Sequence, residues 1–256
     1  MRPIDYDGVA PEFDRRYARN QYDGTQSALI QFLGGGRPAT LEAGCGTGHW
    51  LALVEPRLDT VAGLDPSWKM LELAQAAAPQ ALLVRATAER IPFGAASFDR
   101  VFAINAFHHF SDPVRFATEC RRVLRPGGAF MTIGLDPGTG LDRWWVYDYF
   151  PAALAVDRQR YPTTKKIREM LAAAGFIDAH TSIAQHLPAE RAFETAEREG
   201  LLDRRSTSQL LVISDEEFES GMRRLREERP VLRADLRLYA TIAHLADEAD
   251  AARLEA

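Results

Sequence analysis

The chain has 256 residues, 46% of them hydrophobic, a net charge of -5 and two cysteines. That length buries a sizeable core as one domain, or as one domain with an elaboration. The acidic balance argues against a nucleic-acid partner, Cys45 and Cys120 are too few for a disulfide framework and lack metal-ligand spacing, and no apolar run reaches membrane-spanning length.

The opening residues, Met1-Arg-Pro-Ile-Asp-Tyr-Asp, carry charge and no apolar signal core, so the cytoplasm is the expected compartment. Tyr6, Phe13, Tyr17 and Tyr22 follow among many charges. Residues 25–33 then have helical spacing and stop at Gly34-Gly35-Gly36. A short apolar run over 39–43 reads as a buried strand, followed by glycines at alternate positions, Gly44, Gly46 and Gly48, and by a helical pattern from His49. Strand, glycine loop and helix bring backbone N–H groups and a helix N-terminus close to a small ligand, because glycine leaves no Cβ in the way. The spacing Gly-x-Gly-x-Gly is one residue tighter than the dinucleotide fingerprint. Glu42, just before the loop, repels a pyrophosphate and suits a positively charged group. A second apolar run, 60–64, ends in Asp65, where an acidic residue accepts from a ribose hydroxyl.

At this point the sequence resembles the class I S-adenosylmethionine-dependent methyltransferases, whose first motif is written here Leu41-Glu-Ala-Gly-Cys-Gly-Thr-Gly48. The resemblance implies S-adenosyl-L-methionine as cofactor and an N-terminal segment, residues 1–36, that folds over it as a helical lid bearing Tyr17 and Tyr22. Further along, residues 65–78 give a strand end, a cap from Ser67 or Asp65, and a helix whose Met70, Leu71, Ala74 and Ala78 share one face. A third strand over 81–86 leads to Thr87-Ala-Glu-Arg-Ile-Pro-Phe93, similar to the family stretch in which an Asp-Ala-Glu run meets the adenine. Thr87 stands where an aspartate is common; its hydroxyl still accepts from the adenine amino group, without charge assistance. The resemblance therefore implies a cofactor set of Glu42, Gly44, Gly46, Asp65, Met70, Thr87, Ala88 and Asn105.

Residues 97–105 read as a fourth strand buried on both faces, with Asn105 at its carboxyl end, where open α/β sheets bind ligands. Ser111-Asp-Pro opens a helix, Arg125-Pro-Gly-Gly128 ends it, and 129–134 is a fifth strand. The run Val123-Leu-Arg-Pro-Gly-Gly128 again resembles the family. An irregular aromatic stretch follows with Trp144, Trp145, Tyr147, Tyr149 and Phe150. A helix over 164–174 stops at Gly175, a sixth strand is expected over 176–183, and its antiparallel partner over 235–243, where apolar and polar residues alternate. Strands alternating with helices predict a doubly wound, Rossmann-like, mostly parallel seven-stranded sheet with an antiparallel last strand. The domain plan is a core of 37–186 and 233–246, with 187–232 a charged helical insertion over the active site.

The reaction expected is methyl transfer to a small, apolar or aromatic acceptor, with a homodimer as a compatible assembly and no metal. His108 and His109, just past Asn105, are the candidate bases, and Tyr17, Tyr22, Trp144, Trp145 and Tyr149 the candidate acceptor wall. The Pro-Pro-aromatic run that marks amino methylation of bases is absent, since Asn105 is followed by Ala106-Phe107-His108. A nicotinamide-dependent oxidoreductase shares the strand–glycine–helix unit, and a non-catalytic S-adenosylmethionine-binding protein would share the whole crevice.

Overall fold

The computed structural model describes residues 21–247, so Tyr17 and the lid segment before residue 21 lie outside the described residues. Strand β1 (Thr40–Ala43) lies between β2 (Val61–Asp65) and β4 (Phe98–Ile104), parallel to both. β3 (Leu82–Arg85) extends the parallel sheet beyond β2, and β5 (Leu124–Gly134) extends it beyond β4. The last long strands, β7 (Ile177–Arg191) and β8 (Leu232–His244), pair antiparallel with each other, and β8 runs antiparallel to β5. The order is β3-β2-β1-β4-β5-β8, with the short β6 (Arg143–Trp144) and β7 also on β8, and the strand order reverses between β1 and β4. Ligands bind at such a reversal, outside the carboxyl ends of the strands.

Helices cover both faces. Alternate residues of β4 split between them: Val101 and Ala103 join one core with Phe116 and Leu171, while Phe102 and Ile104 join the other with Leu29, Leu51 and Met131. Helices α1 (Asp23–Leu33), α2 (His49–Val54) and α3 (Trp68–Ala77) therefore lie against one face, and α4 (Pro113–Val123) and α7 (Thr164–Ala173) against the other. Of the two cap candidates for α3, Ser67 accepts from the Met70 N–H at 3.1 Å, which leaves the Asp65 carboxylate to the site. Asp112 caps α4 by accepting from the Arg115 N–H, with Pro113 at the first helical position.

Three features differ from the sequence reading. Among the described residues the sheet has eight strands rather than seven, because the two-residue β6 pairs with β8. The stretch 125–128 belongs to an irregular start of β5, with a register shift opposite Phe98–Arg100. The β7–β8 ribbon runs on past residue 187, pairing Leu187 with Leu236 and Arg191 with Leu232, so the helical part of the segment is confined to residues 193–228. Those helices, α8 (Phe193–Arg198), α9 (Ser208–Leu211) and α10 (Asp215–Glu228), build a third core with α5 (Trp145–Tyr149) and α6 (Pro151–Arg160). Phe150, Phe193, Leu210 and Leu225 are fully buried there. A buried ion pair braces it: Asp157 binds Arg160 at 2.7 Å and accepts from the Tyr147 hydroxyl at 2.8 Å. Among the described residues no helix is long and apolar enough to cross a membrane.

Candidate active site

A cavity of about 270 Å³ opens at the carboxyl ends of β1, β2 and β4. Glu42, Gly44, Gly46, Asp65, Met70, Thr87, Ala88 and Asn105 all line it, together with His109. The local chemistry explains the convergence. The Gly44 and Cys45 N–H groups both donate to the Leu64 carbonyl, at 2.8 and 3.0 Å, which curls the glycine loop over the end of β2. The Asp65 carboxylate then fixes the loop from below, accepting from the Gly46 N–H at 3.0 Å and from the Ser67 N–H at 2.9 Å.

Two glycines here meet different demands. Gly44 has φ +74, and a Cβ on it would sit 2.6 Å from the Ala106 Cβ, so the loop packs directly against the turn after β4. Gly46 has φ +51, and a Cβ there would meet nothing within 4 Å, so its missing side chain leaves open space beside the cavity. Asn105 also adopts a left-handed conformation, φ +52, with its N–H donating to the Ile133 carbonyl at 2.7 Å. Asparagine tolerates that region better than most residues, and here it swings residues 106–111 around the cavity mouth.

Glu42 is the electrostatic centre of the site. It is 1% exposed, and one of its carboxylate oxygens has no hydrogen-bond partner among the described residues. Burial pushes its pKa well above the ordinary value, the Asp65 charge pushes it the same way, and a hydrogen bond from the Leu51 backbone opposes both. A buried carboxylate beside a second acid is a costly arrangement unless a cation or a donor completes it.

The two histidines part company. Both belong to a single 3₁₀ turn, Phe107–His109, with ring centroids 3.8 Å apart. His109 lines the cavity, while His108 lies on the other side of the turn, stacked on Tyr161 at 3.9 Å and 14°, in a small second cavity with Tyr239 and Thr241. Of the expected acceptor residues, the described ones, Tyr22, Trp144, Trp145 and Tyr149, do not line the large cavity. Tyr22 packs edge-on against Trp50 at 6.0 Å. Trp144 pairs in β6 and meets Tyr147 edge-on at 5.2 Å, Trp145 is buried in the third core, and the Tyr149 hydroxyl donates to Glu228. The residues lining the cavity that the sequence reading left out are chiefly Glu89, Phe110 and Ser111. Glu89 had a visible signal, since it ends the Thr87-Ala-Glu run. Among the described residues no group of three or more His, Cys, Asp or Glu could hold a metal ion.

A Gly-x-Gly-x-Gly loop tied to an acid at the end of β2, on a sheet with an antiparallel β8 beside β5, is the arrangement of a nucleoside-binding Rossmann-like fold of the methyltransferase type. The family model described as "Methyltransferase domain" matches residues 41–132. An uncharacterized methyltransferase of Mycobacterium bovis is 40% identical over 113 residues, which is 44% of this chain and 46% of that protein. The demethylmenaquinone methyltransferase of Thermotoga maritima is 36% identical over 100 residues, 38% of this chain and 43% of that one. An uncharacterized methyltransferase of Synechocystis sp. is 30% identical over 150 residues, 57% of this chain and 68% of that protein. The solved YcgJ protein of Bacillus subtilis has the same fold, with a TM-score of 0.63 at 19% identity, covering 89% of this chain and 100% of that one. The chain belongs to the S-adenosylmethionine-dependent methyltransferase family. It spans about half the length of the first curated relatives it matches.

Proposed function

We propose that the protein binds S-adenosyl-L-methionine in the 270 Å³ cavity and transfers its methyl group to a small, apolar or aromatic acceptor in the cytoplasm. The observation that carries this reading is the buried, incompletely partnered carboxylate of Glu42 beside the open face of Gly46 and the Asp65 acid. These residues fit the cofactor's parts: a cationic amino end for Glu42, ribose hydroxyls for Asp65, and a chain passing close over Gly46. When bound, the cofactor supplies a sulfonium-activated methyl group for in-line displacement.

The protein's own contribution is alignment and exclusion of water. Gly46 lets the ligand approach the loop backbone, and Asp65 holds that loop while accepting from the ribose. His109, on the cavity wall next to Phe110, takes the acceptor's proton where the nucleophile carries one. The net charge of -5 favours a neutral or cationic small molecule over nucleic acid.

Glu42 gives this reading a pH signature. Its folded-state pKa is raised, so raising pH ionises it across a window above the ordinary carboxylate range, and the ionised form is the one that attracts an amino cation. Affinity for S-adenosylhomocysteine should therefore rise with pH through that window, with proton release on binding at its acid end. In Glu42→Gln the rise should vanish, leaving the affinity near the low value that the unaltered protein has at the acid end of the window. Calorimetry in buffers of different ionisation enthalpy measures both effects; a pH-independent affinity in the unaltered protein contradicts the assignment.

The activity itself is tested by offering methyl-labelled S-adenosylmethionine with a panel of apolar and aromatic alcohols, amines and acidic carbon compounds. Label should move to at least one class. With that acceptor, His109→Gln should lower kcat by about 100-fold or more, the lower range for general base catalysis, with S-adenosylhomocysteine affinity unchanged. An unchanged kcat removes His109 from the chemistry.

A further inference from the structure

Among the described residues, the helical unit of α5, α6 and α8–α10 contributes nothing to the lining of the large cavity, yet it reaches the turn that carries His109. The contact is Tyr161, the residue after α6. Its N–H donates to the Asp157 carbonyl at 2.9 Å, and its hydroxyl accepts from Gln209 Nε2 at 3.1 Å. The Gln209 amide is held that way round because its oxygen accepts from the Thr207 hydroxyl. Arg160 lies over the Tyr161 ring at 5.2 Å and is itself anchored on Asp157 and on the Ser208 hydroxyl. Tyr161 is therefore a buried ring fixed through its backbone, its hydroxyl and one of its faces. His108 stacks on it at 3.9 Å and 14°, and the His109 ring follows at 3.8 Å and 49°. The three rings form a column that starts in the helical unit and ends at the cavity, where His109 is part of the wall. The 3₁₀ turn closes with the His109 N–H on the Ala106 carbonyl at 2.8 Å, which fixes the backbone. It leaves the imidazole its broad second torsion, so the direction of the ring is set by what packs against it.

We propose that Tyr161 is a positioning residue for methyl transfer: through the His108 ring it holds the His109 imidazole at the angle at which it faces the cavity. The helical unit then serves the site as a brace from behind. This assignment rests on the reading in which His109 takes the acceptor's proton. A base must meet its proton at hydrogen-bond distance. A ring free to swing is in reach less of the time, so kcat falls while the cofactor, held by other residues, binds as before.

The test is proton NMR of the imidazole Cε1–H signals in the full chain, with S-adenosylhomocysteine as the probe and His108→Gln and His109→Gln to assign the two signals. In the unaltered protein the probe should shift the His109 signal, because that ring lines the cavity. In Tyr161→Leu the His109 signal should leave its position and lose most of the shift the probe induces. Tyr161→Phe, which keeps the ring and drops only the hydroxyl, should retain both. Movement of the His108 signal alone shows that the stack does not reach His109 and overturns the proposal, and an equal loss in Tyr161→Phe does the same. Should Tyr161→Leu not fold, Tyr161→Met decides in its place, since an unbranched side chain fills irregular space without a ring. If the unaltered protein gives no response to the probe, the cofactor reading fails first and takes this assignment with it. With an acceptor in hand, Tyr161→Leu should lower kcat by about tenfold or more at unchanged S-adenosylhomocysteine affinity, and should cost nothing further in a His109→Gln background. A loss of the same factor in that background marks a general packing defect and overturns the proposal. An unchanged kcat in His109→Gln instead sinks the base reading, and the positioning role with it.

Discussion

Gly46→Val is expected to abolish binding of S-adenosylhomocysteine while the protein stays folded. Two effects act together. At φ +51 a β-branched residue is strained, by about 1–3 kcal/mol, which is a modest part of the roughly 5–15 kcal/mol that holds a domain together. The larger effect is steric. Nothing lies within 4 Å of the position a Cβ would take, so the valine side chain enters the space beside the cavity instead of being absorbed by the core. The control is Gly34→Val, which puts the same residue at φ +70 with nothing within 4 Å, at the end of α1 and away from the cavity lining. With ψ -161 Gly34 lies in a region that only glycine populates readily, so that variant should lose at least as much stability in thermal unfolding and yet keep its ligand affinity. If Gly46→Val binds normally, the loop does not approach the ligand, and the cavity has been assigned to the wrong molecule.

Asp65→Ala should weaken S-adenosylhomocysteine binding by about 10- to 150-fold, the equivalent of roughly 1.5–3 kcal/mol for hydrogen bonds to a charged group. The carboxylate acts twice. It accepts from Gly46 and Ser67, so its removal leaves two N–H groups without an acceptor and loosens the loop. It also stands at the end of β2, where the ribose lies in this reading. The substitution has a second signature through Glu42. Asp65 is one of the two causes that raise the Glu42 pKa, so without it the pH window for cofactor binding should move toward lower pH. A structural defect alone would weaken binding without moving that window. Affinity within twofold of the unaltered protein, with the fold intact, would exclude Asp65 as the ribose ligand.

The β1–α2–β2 unit was legible in the sequence because its constraints are local. Glycines at alternate positions, an acid before them and an acid at the end of the next strand restrict the backbone wherever the chain sits. The convergence of Thr87 and Asn105 on the same cavity followed from the parallel topology, which sends every carboxyl end to one side. Other features depend on partners far away in the chain. The aromatic run at 144–150 had the composition of a ligand wall, but its neighbours are Phe193, Leu210 and Leu225, and no periodicity within the run reports them. The extension of β7 to Arg191 was hidden because that part of the strand is exposed or half-buried along its whole length, with no apolar alternation to mark it. Adjacent positions 108 and 109 could not be told apart, since the tight 3₁₀ turn that sends one histidine to the cavity and the other onto Tyr161 has no signature in two identical residues. Glu89 was visible as part of a run, but its contact with Ser111 closes a 22-residue separation that only the folded sheet reveals.

The central claim, that the cavity at the end of β1 and β2 is built for S-adenosylmethionine, is tested most directly by calorimetric titration of the full chain with four ligands side by side: S-adenosylmethionine, S-adenosylhomocysteine, NAD and NADP. The tight Gly-x-Gly-x-Gly turn and the buried Glu42 carboxylate predict saturable binding of the two sulfur nucleosides, lost in Gly46→Val, and no binding of either dinucleotide, whose pyrophosphate would face that carboxylate. Saturable binding of NAD or NADP alone would contradict the claim.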